Sequence, residues 1–181
     1  CVCAGGESRV SFVGADVRHS CQGGRCAAGA QPDPAGAIGN LDQNGVKAYM
    51  AQTGYSESGG DYTATNQYGD LGKYQMGAGA LIDAGYVKPG TTQSQLSDPN
   101  NWTGKNGMNS SSDFLSSPSI QEQTMYNYTT SNYNSLVSKG IITSSTSAED
   151  TAGYLSTAHL LGTGGATKWY TTGSGADANG T

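Results

Sequence analysis

The chain has 181 residues, a formal net charge of -5 and only 13% charged side chains. This acidic balance excludes a basic nucleic-acid binder that works by neutralising phosphates. The length fits one domain of ordinary size with a small appendage, and no apolar run in the sequence is long enough to span a membrane. Aliphatic residues are few, but the chain carries 11 Tyr and 2 Trp. We therefore expect a folded domain whose core is built on Tyr, Ala and Met.

All four cysteines lie in the first 26 residues: Cys1, Cys3, Cys21 and Cys26. Two disulfides in an oxidising compartment, or a four-sulfur metal site, would explain this clustering. The cysteines of the two close pairs are separated by one and four residues, whereas metal sites usually have two between them, so we favour disulfides and predict no metal. A Cys at position 1 would also suit the lipid anchor of a bacterial lipoprotein.

The composition changes after this Cys-rich segment. Residues 27–40 are rich in Ala, Gly, Pro and Gln, which is typical of a linker. The sequence therefore predicts three parts: a Cys-rich N-terminal segment over residues 1–26, a linker over 27–40, and a module over 41–181 that carries any chemistry.

The first half of this module combines helical and turn signals. Apolar side chains at helical spacing predict a helix that is capped by Asp42 and ends near Gly54. Residues 63–75 contain several turn residues and predict a short, irregular β-hairpin. Residues 74–86 are again helical in pattern, and residues 87–117 predict a long surface loop.

The second half is more regular. Trp102 is the expected anchor of the long loop, and Ser117-Pro118 predicts the start of a helix that stops at Gly140. A capping-box pattern over residues 147–150 opens another helix, which should break at residues 162–165. Together these elements predict an α+β domain in which helices dominate.

Glu57 is the strongest candidate for a catalytic residue. The other two glutamates of the module, Glu122 and Glu149, fall in the first turns of predicted helices, where the backbone N–H groups favour a negative charge. Glu57 instead stands at a helix end before two glycines, with no basic residue within nine positions. A carboxyl packed among aromatic rings away from cations would have a raised pKa, as a general acid requires. The rings in question are Tyr49, Tyr55 and Tyr62. A surface glutamate at a helix end is the alternative interpretation.

Three short motifs follow one another along the module. They are Glu57-Ser58, Gly72-Lys73-Tyr74-Gln75, and Ala158-His159-Leu160-Leu161-Gly162. The ordered trio resembles the lysozyme-like superfamily of lytic transglycosylases and goose-type lysozymes, which more often has Gly-Leu-Met-Gln in the second motif and Ala-Tyr-Asn-x-Gly in the third. Within that superfamily, residues 72–86 and 158–170 resemble the lysozyme-like domains found on phage tails and in some secreted bacterial proteins. The resemblance covers residues 41–181.

The resemblance implies a predominantly helical lysozyme-like fold with a small β-hairpin. It implies cleavage of the β-1,4 glycan strand of peptidoglycan by Glu57 as general acid and base, without a cofactor. Substrate contacts are implied for Ser58, Tyr74, Gln75 and His159. His159 and Leu160 depart from the family pattern, which has Tyr and Asn at these two positions. His159 could face the cleft, or it could be a hydrogen-bonded histidine on the inner face of its helix.

Two questions on the chemistry stay open at this point. A second carboxylate could come from Asp61 or Asp70, although Asp is common beside turn glycines for local reasons. Without it, the resemblance implies the transglycosylase route, which we slightly favour over hydrolysis. The expected location is extracytoplasmic: a virion tail, the periplasm or a secreted form. Partners in a virion or envelope apparatus would fit, and so would an inactive structural or wall-binding module with the same fold.

Overall fold

The computed structural model describes residues 36–174. The predicted Cys-rich segment, its disulfides and most of the predicted linker lie outside the described residues. Within 36–174 the chain is predominantly helical, as expected, and contains five α-helices: α1 (Gln43–Ser58), α2 (Ala78–Asp83), α3 (Ser111–Leu115), α4 (Pro118–Ser138) and α5 (Ala148–Thr172). In this part of the chain no helix is long and apolar enough to cross a membrane.

Helix α1 is held by a cap at each end. Asp42 accepts a hydrogen bond from the Gly45 N–H at 2.7 Å, as the predicted N-cap should. At the other end, Gly59 takes the left-handed conformation (φ 68°) and its N–H bonds the Tyr55 carbonyl. The predicted stop near Gly54 is wrong, because this glycine stays inside the helix. Glu57 therefore lies in the last turn of α1 and not after it.

The segment after α1 contains turns where the sequence predicted a β-hairpin. Two isolated antiparallel bridges, from Leu71 to Thr65 and to Met76, are its only sheet-like pairing between residues 60 and 77. The backbone bends at Gly69, Gly72 and Gln75, all with positive φ, and these bends prevent a regular ladder. For the same reason the next helix, α2, begins only at Ala78, whereas the sequence pattern predicted a start at residue 74.

The predicted loop over residues 87–117 is more ordered than expected. It contains α3 and three short 3₁₀ helices: Gln93–Ser97, Pro99–Asn101 and Lys105–Gly107. Trp102 is its anchor, as predicted. Its ring is 5% exposed, its indole N–H donates to the Leu96 carbonyl at 2.9 Å, and it packs 6.1 Å from the Phe114 ring. This anchor joins the loop to the hydrophobic core.

Helix α4 packs against α5, α3 and α2, and α1 packs against α5. Tyr and Met contribute to the core, as the composition suggested, but so do aliphatic residues from every α-helix except α3. Side chains with no more than 2% exposure include Val46, Met50, Tyr74, Leu81, Phe114, Met125, Leu136 and Leu155. The described chain joins this core from Ile38, which is buried and pairs with Leu41 through two backbone hydrogen bonds.

The break predicted in the last helix is confirmed at Gly162. Ser147 caps α5 by accepting from the Asp150 N–H, and the helix then runs until Gly162, whose φ of 67° and ψ of 166° are not helical. Only glycine adopts this backbone region readily. The residues after Gly162 form a second helical stretch of α5.

Replacing Gly162 with Ala should lower the free energy of unfolding by about 1–3 kcal/mol, because a β-carbon is strained in this conformation. Urea denaturation measures the loss. Gly153 is the matched control: it lies within the regular part of α5, where an added β-carbon would meet no atom within 4 Å. Gly153→Ala should raise the free energy of unfolding by up to about 1 kcal/mol. Equal effects of the two changes would contradict the assignment of the break.

Candidate active site

Glu57 and His159 meet where the end of α1 lies against α5. The Glu57 Oε1 atom is 3.4 Å from the His159 Nε2 atom. The Glu57 side chain is 23% exposed and the His159 side chain 10%. Among residues 36–174, no Lys or Arg forms an ion pair with Glu57. The carboxyl is therefore partly buried and, among the described residues, free of a Lys or Arg partner, as the sequence suggested. His159, which the resemblance assigned to substrate, contacts this carboxyl directly.

Aromatic side chains surround this pair. Tyr128 of α4 meets the His159 ring edge-on, with centroids 6.0 Å apart and the planes at 76°. Tyr49 of α1 is buried, and its pKa is raised mainly by burial and further by the negative charge of Glu57. Burial also raises the pKa of Tyr128. These two phenols therefore remain neutral at ordinary pH.

The tyrosines predicted around Glu57 have different places in the structure. Tyr49 is close enough for its charge and that of Glu57 to interact. Tyr55 is 65% exposed, and the Tyr62 hydroxyl donates to Glu122 at 2.6 Å. The two glycines after Glu57 border open space, since a β-carbon at Gly59 or Gly60 would meet no atom within 4 Å. No other described residue therefore packs against these two glycines.

The neighbouring motif residues mostly bind the backbone. The Ser58 hydroxyl donates to the Lys73 carbonyl at 2.8 Å and lies 3.3 Å from the Gly54 carbonyl. Gln75, held at a φ of 45°, donates its Nε2 to the Gly72 carbonyl at 2.7 Å and is half-buried. These contacts fix the chain beside Glu57.

Tyr74 is fully buried, and its hydroxyl donates to Glu122 at 2.8 Å. The side chain that the resemblance assigned to substrate therefore packs inside the protein.

The two candidate second carboxylates are each bound within their own turn. Asp61 is exposed and accepts from both the backbone N–H and the hydroxyl of Thr63, at 2.7 and 2.8 Å. The backbone bond, then the hydroxyl, lowers its pKa. Asp70 accepts from the Asn66 side chain at 2.8 Å. These are the local interactions that favour Asp in turns.

A buried ion pair lies beneath the end of α1. Lys73 Nζ is 2.8 Å from Glu122 Oε1, and both side chains are less than 8% exposed. Tyr62 donates to the same oxygen and Tyr74 to the other, while the ammonium lies 5.2 and 4.8 Å from the centroids of their rings. The interpretation of Glu122 as an ordinary helix-start acid is wrong, because α4 buries it one turn further in. Glu149 does lie in the first turn of α5.

Lys73 also connects α4 to the turn that carries Glu57. Its N–H donates to the Gln121 side-chain oxygen at 2.9 Å, and its carbonyl accepts the Ser58 hydroxyl. Its aliphatic stem lies against Gly54, where a β-carbon would come within 2.8 Å of Lys73 Cγ. This close approach explains why a glycine interrupts the sequence of α1. The one sequence signal of this arrangement was a Lys where the resembled family has Leu.

Gln121 completes the connection. Its amide nitrogen donates to the Phe114 and Tyr62 carbonyls at 2.9 and 3.0 Å, and the residue is 1% exposed. Nothing in the sequence pattern distinguished it from a surface glutamine of α4.

The part of the chain that the structure describes contains no group of three or more His, Cys, Asp or Glu side chains placed to hold a metal ion. Comparison with protein-family models, with characterised proteins and with solved structures finds no match to this chain. No related protein indicates what this site does, so its chemistry is inferred from the geometry of its residues.

Lys73→Met should lower the free energy of unfolding by about 3–5 kcal/mol, because it leaves the Glu122 carboxylate buried without its cation. Changing Glu122 to Gln in the same chain should recover much of this loss. Urea denaturation measures both variants. Lys168→Met, at an exposed position of α5, is the control and should change stability by less than about 0.5 kcal/mol. A small effect of Lys73→Met alone would contradict a buried, paired Lys73.

The buried tyrosines predict a loss of stability at alkaline pH. Burial, followed by the charge of Glu122, raises the pKa of Tyr74, and burial raises those of Tyr49 and Tyr128. Unfolded tyrosine ionises near pH ~10. Below that pH the buried tyrosines contribute fully to the free energy of unfolding. Above it the unfolded state loses protons that the folded state keeps, so the free energy of unfolding falls.

Urea denaturation at a series of pH values should show a free energy of unfolding that decreases steadily from about pH 9 to pH 11. Tyr74→Phe should make this decrease shallower, whereas Tyr55→Phe, at an exposed ring, should leave it unchanged. A pH-independent free energy over this range would mean that the phenols are not held neutral by the fold.

Proposed function

We propose that this protein cleaves the β-1,4 glycan strand of peptidoglycan, with Glu57 as general acid and base, by the lytic transglycosylase route. The observation that carries the proposal is the setting of Glu57. Its carboxyl is partly buried at the end of α1, unpaired with Lys or Arg among the described residues, and next to an open glycine pair. The three motifs, in their order along the chain, resemble those of enzymes of this class and support the same proposal.

Cleavage of a glycosidic bond needs a proton for the leaving oxygen and stabilisation of an oxocarbenium-like centre. Glu57 supplies the proton. Asp61 and Asp70 are each held by hydrogen bonds in their own turns, which supports a route without a second protein carboxylate. The product then forms when Glu57, now a carboxylate, accepts the proton of the sugar's own hydroxyl as that oxygen bonds to the anomeric carbon. The result is an anhydro sugar, with no water consumed.

Two residues near the end of α1 would orient the glycan. The Gln75 amide N–H donates to the Gly72 carbonyl. No described residue donates to its Oε1 atom. This oxygen would accept a hydrogen bond from a sugar hydroxyl or acetamido N–H. Ser58 forms the wall beside Glu57 and keeps the backbone in place. Tyr55 and Tyr68 are more than half exposed and offer rings on which sugar faces stack.

Such an activity places the protein outside the cytoplasm, in a virion tail, the periplasm or a secreted form, where its substrate lies. Proteins of a virion or envelope apparatus are the partners that this role would involve. The other role for the same fold is an inactive wall-binding or structural module, which the experiment below separates from the enzyme.

Glu57→Gln should reduce the release of fragments from purified peptidoglycan by about 10²- to 10⁴-fold, because an amide keeps the shape but cannot donate the proton. Mass spectrometry of the fragments should find anhydro ends with the wild type. Glu149→Gln, at an exposed glutamate of α5, is the control and should retain full activity.

Three results would count against the proposal in different ways. Reducing ends in place of anhydro ends would indicate hydrolysis. More than about a tenth of wild-type activity in Glu57→Gln would indicate another acid. Binding to peptidoglycan without cleavage by the wild type would identify an inactive module.

A further inference from the structure

His159 lies behind Glu57 and not beside it at the surface. The imidazole is less exposed than the carboxyl, 10% against 23%. Its Nδ1 atom is buried and has no hydrogen-bond partner among the described residues. Its Nε2 atom faces Glu57 Oε1. The imidazole is therefore placed to act on Glu57.

We infer that His159 is a positioning residue for Glu57: its Nε2–H group donates to Glu57 Oε1 and so reserves Oε2 as the atom that gives and takes the catalytic proton. The inference rests on the proposed function, and it assigns His159 a role other than the substrate contact that the motif resemblance implied. Leu160, the next residue, is 62% exposed, so it does not share the buried position of the imidazole.

The tautomer follows from the geometry. A neutral imidazole carries one N–H, and the second nitrogen is an acceptor. If Nδ1 carried the proton, the lone pair of Nε2 would face a carboxylate oxygen, which is also an acceptor, and a buried N–H would have no partner. With the proton on Nε2, a donor faces an acceptor. The contact, at 3.4 Å, therefore favours the Nε2–H tautomer.

The proton then has one place on Glu57. Because Oε1 accepts from His159, the neutral carboxyl carries its proton on Oε2. That proton passes to the glycosidic oxygen as the bond from the anomeric carbon to this oxygen breaks. In the second step the sugar hydroxyl oxygen bonds to the anomeric carbon and its proton returns to Oε2. The His159 proton stays on Nε2 throughout, so protons balance over the cycle.

The other titratable groups near this pair do not replace His159. Tyr49 on α1 and Tyr128 on α4 are phenols that burial keeps neutral. Neither hydroxyl forms a hydrogen bond with Glu57 in the described part of the chain, and the Thr53 hydroxyl beside Tyr49 donates to the Tyr49 carbonyl at 2.9 Å. Asp83 at the end of α2 acts on Tyr128 through its charge. Tyr128 also braces the imidazole by its edge-on ring contact, which fixes the direction of Nε2.

The first test compares two variants of His159. His159→Phe keeps a flat ring against Tyr128 but removes the donor, and should lower kcat about 10- to 100-fold with little change in KM. His159→Gln retains an N–H donor near the place of Nε2 and should recover much of kcat. Urea denaturation of both variants separates this effect from loss of fold. Equal kcat for Phe and wild type, or a change confined to KM, would overturn the inference.

The second test reads the tautomer without any substrate. The chain has two histidines, His19 and His159, so His19→Gln leaves one imidazole to observe by ¹⁵N NMR. The spectrum should show the Nε2–H tautomer, and adding Glu57→Ala should shift the ring towards a mixture of tautomers. An Nδ1–H ring, or a spectrum unaffected by Glu57→Ala, would overturn the pairing. If the wild type releases no glycan fragments, the proposed function fails, while this spectrum still decides whether His159 holds Glu57.

Discussion

The buried pair of Lys73 and Glu122 is the constraint on which this part of the structure depends. Removing two charges from water costs several kcal/mol for each ion, and the pair is tolerated only when its geometry and hydrogen bonds are complete. Here Tyr62 and Tyr74 supply donors to both carboxylate oxygens, and their rings lie near the ammonium. The turn segment after α1 is therefore bound to α4 at one defined position, without a regular strand to set its register.

Lys73 also determines the position of the candidate site. The Lys73 main chain is fixed by Gln121 on one side and by the Ser58 hydroxyl on the other, and its stem fills the space that Gly54 leaves. Ser58 directly follows Glu57 in the last turn of α1. The place of the carboxyl thus follows from a chain of short polar contacts that begins in the core, which is how buried networks specify one arrangement.

The sequence predicted the features that depend on local chemistry. Caps at Asp42 and Ser147, the break at Gly162 and the anchoring of Trp102 follow from one or a few neighbouring residues, and the structure has them. Features that depend on distant partners were missed. Gly54 was taken as a helix end because its packing partner is 19 residues further along the chain. Glu122 was taken as an ordinary acid at a helix start, and Gln121 was not singled out, because the sequence of α4 shows no sign of the turn segment that covers them.

The candidate site divides in the same way. Glu57 could be selected from its place at a helix end and its distance from basic residues, both of which are visible in the sequence. Its contact with His159 joins residues that are 102 positions apart in the sequence. Because the resembled family has a Tyr at position 159, the sequence could place His159 in the site but could not predict its contact with Glu57. The turn aspartates were correctly suspected of serving local needs, since each carboxylate bonds a residue at most four positions away.

The break in α5 also has a consequence for how its two stretches pack. A continuous helix would place Tyr154 and Tyr170 about 24 Å apart, at ~1.5 Å per residue. Their ring centroids are instead 4.4 Å apart, and the Tyr170 hydroxyl lies 2.9 Å from that of Thr157. Gly162 therefore turns the chain back, and the stretch that ends at Thr172 packs against the stretch that carries His159. The helix segment that holds the imidazole is thus supported by its own continuation.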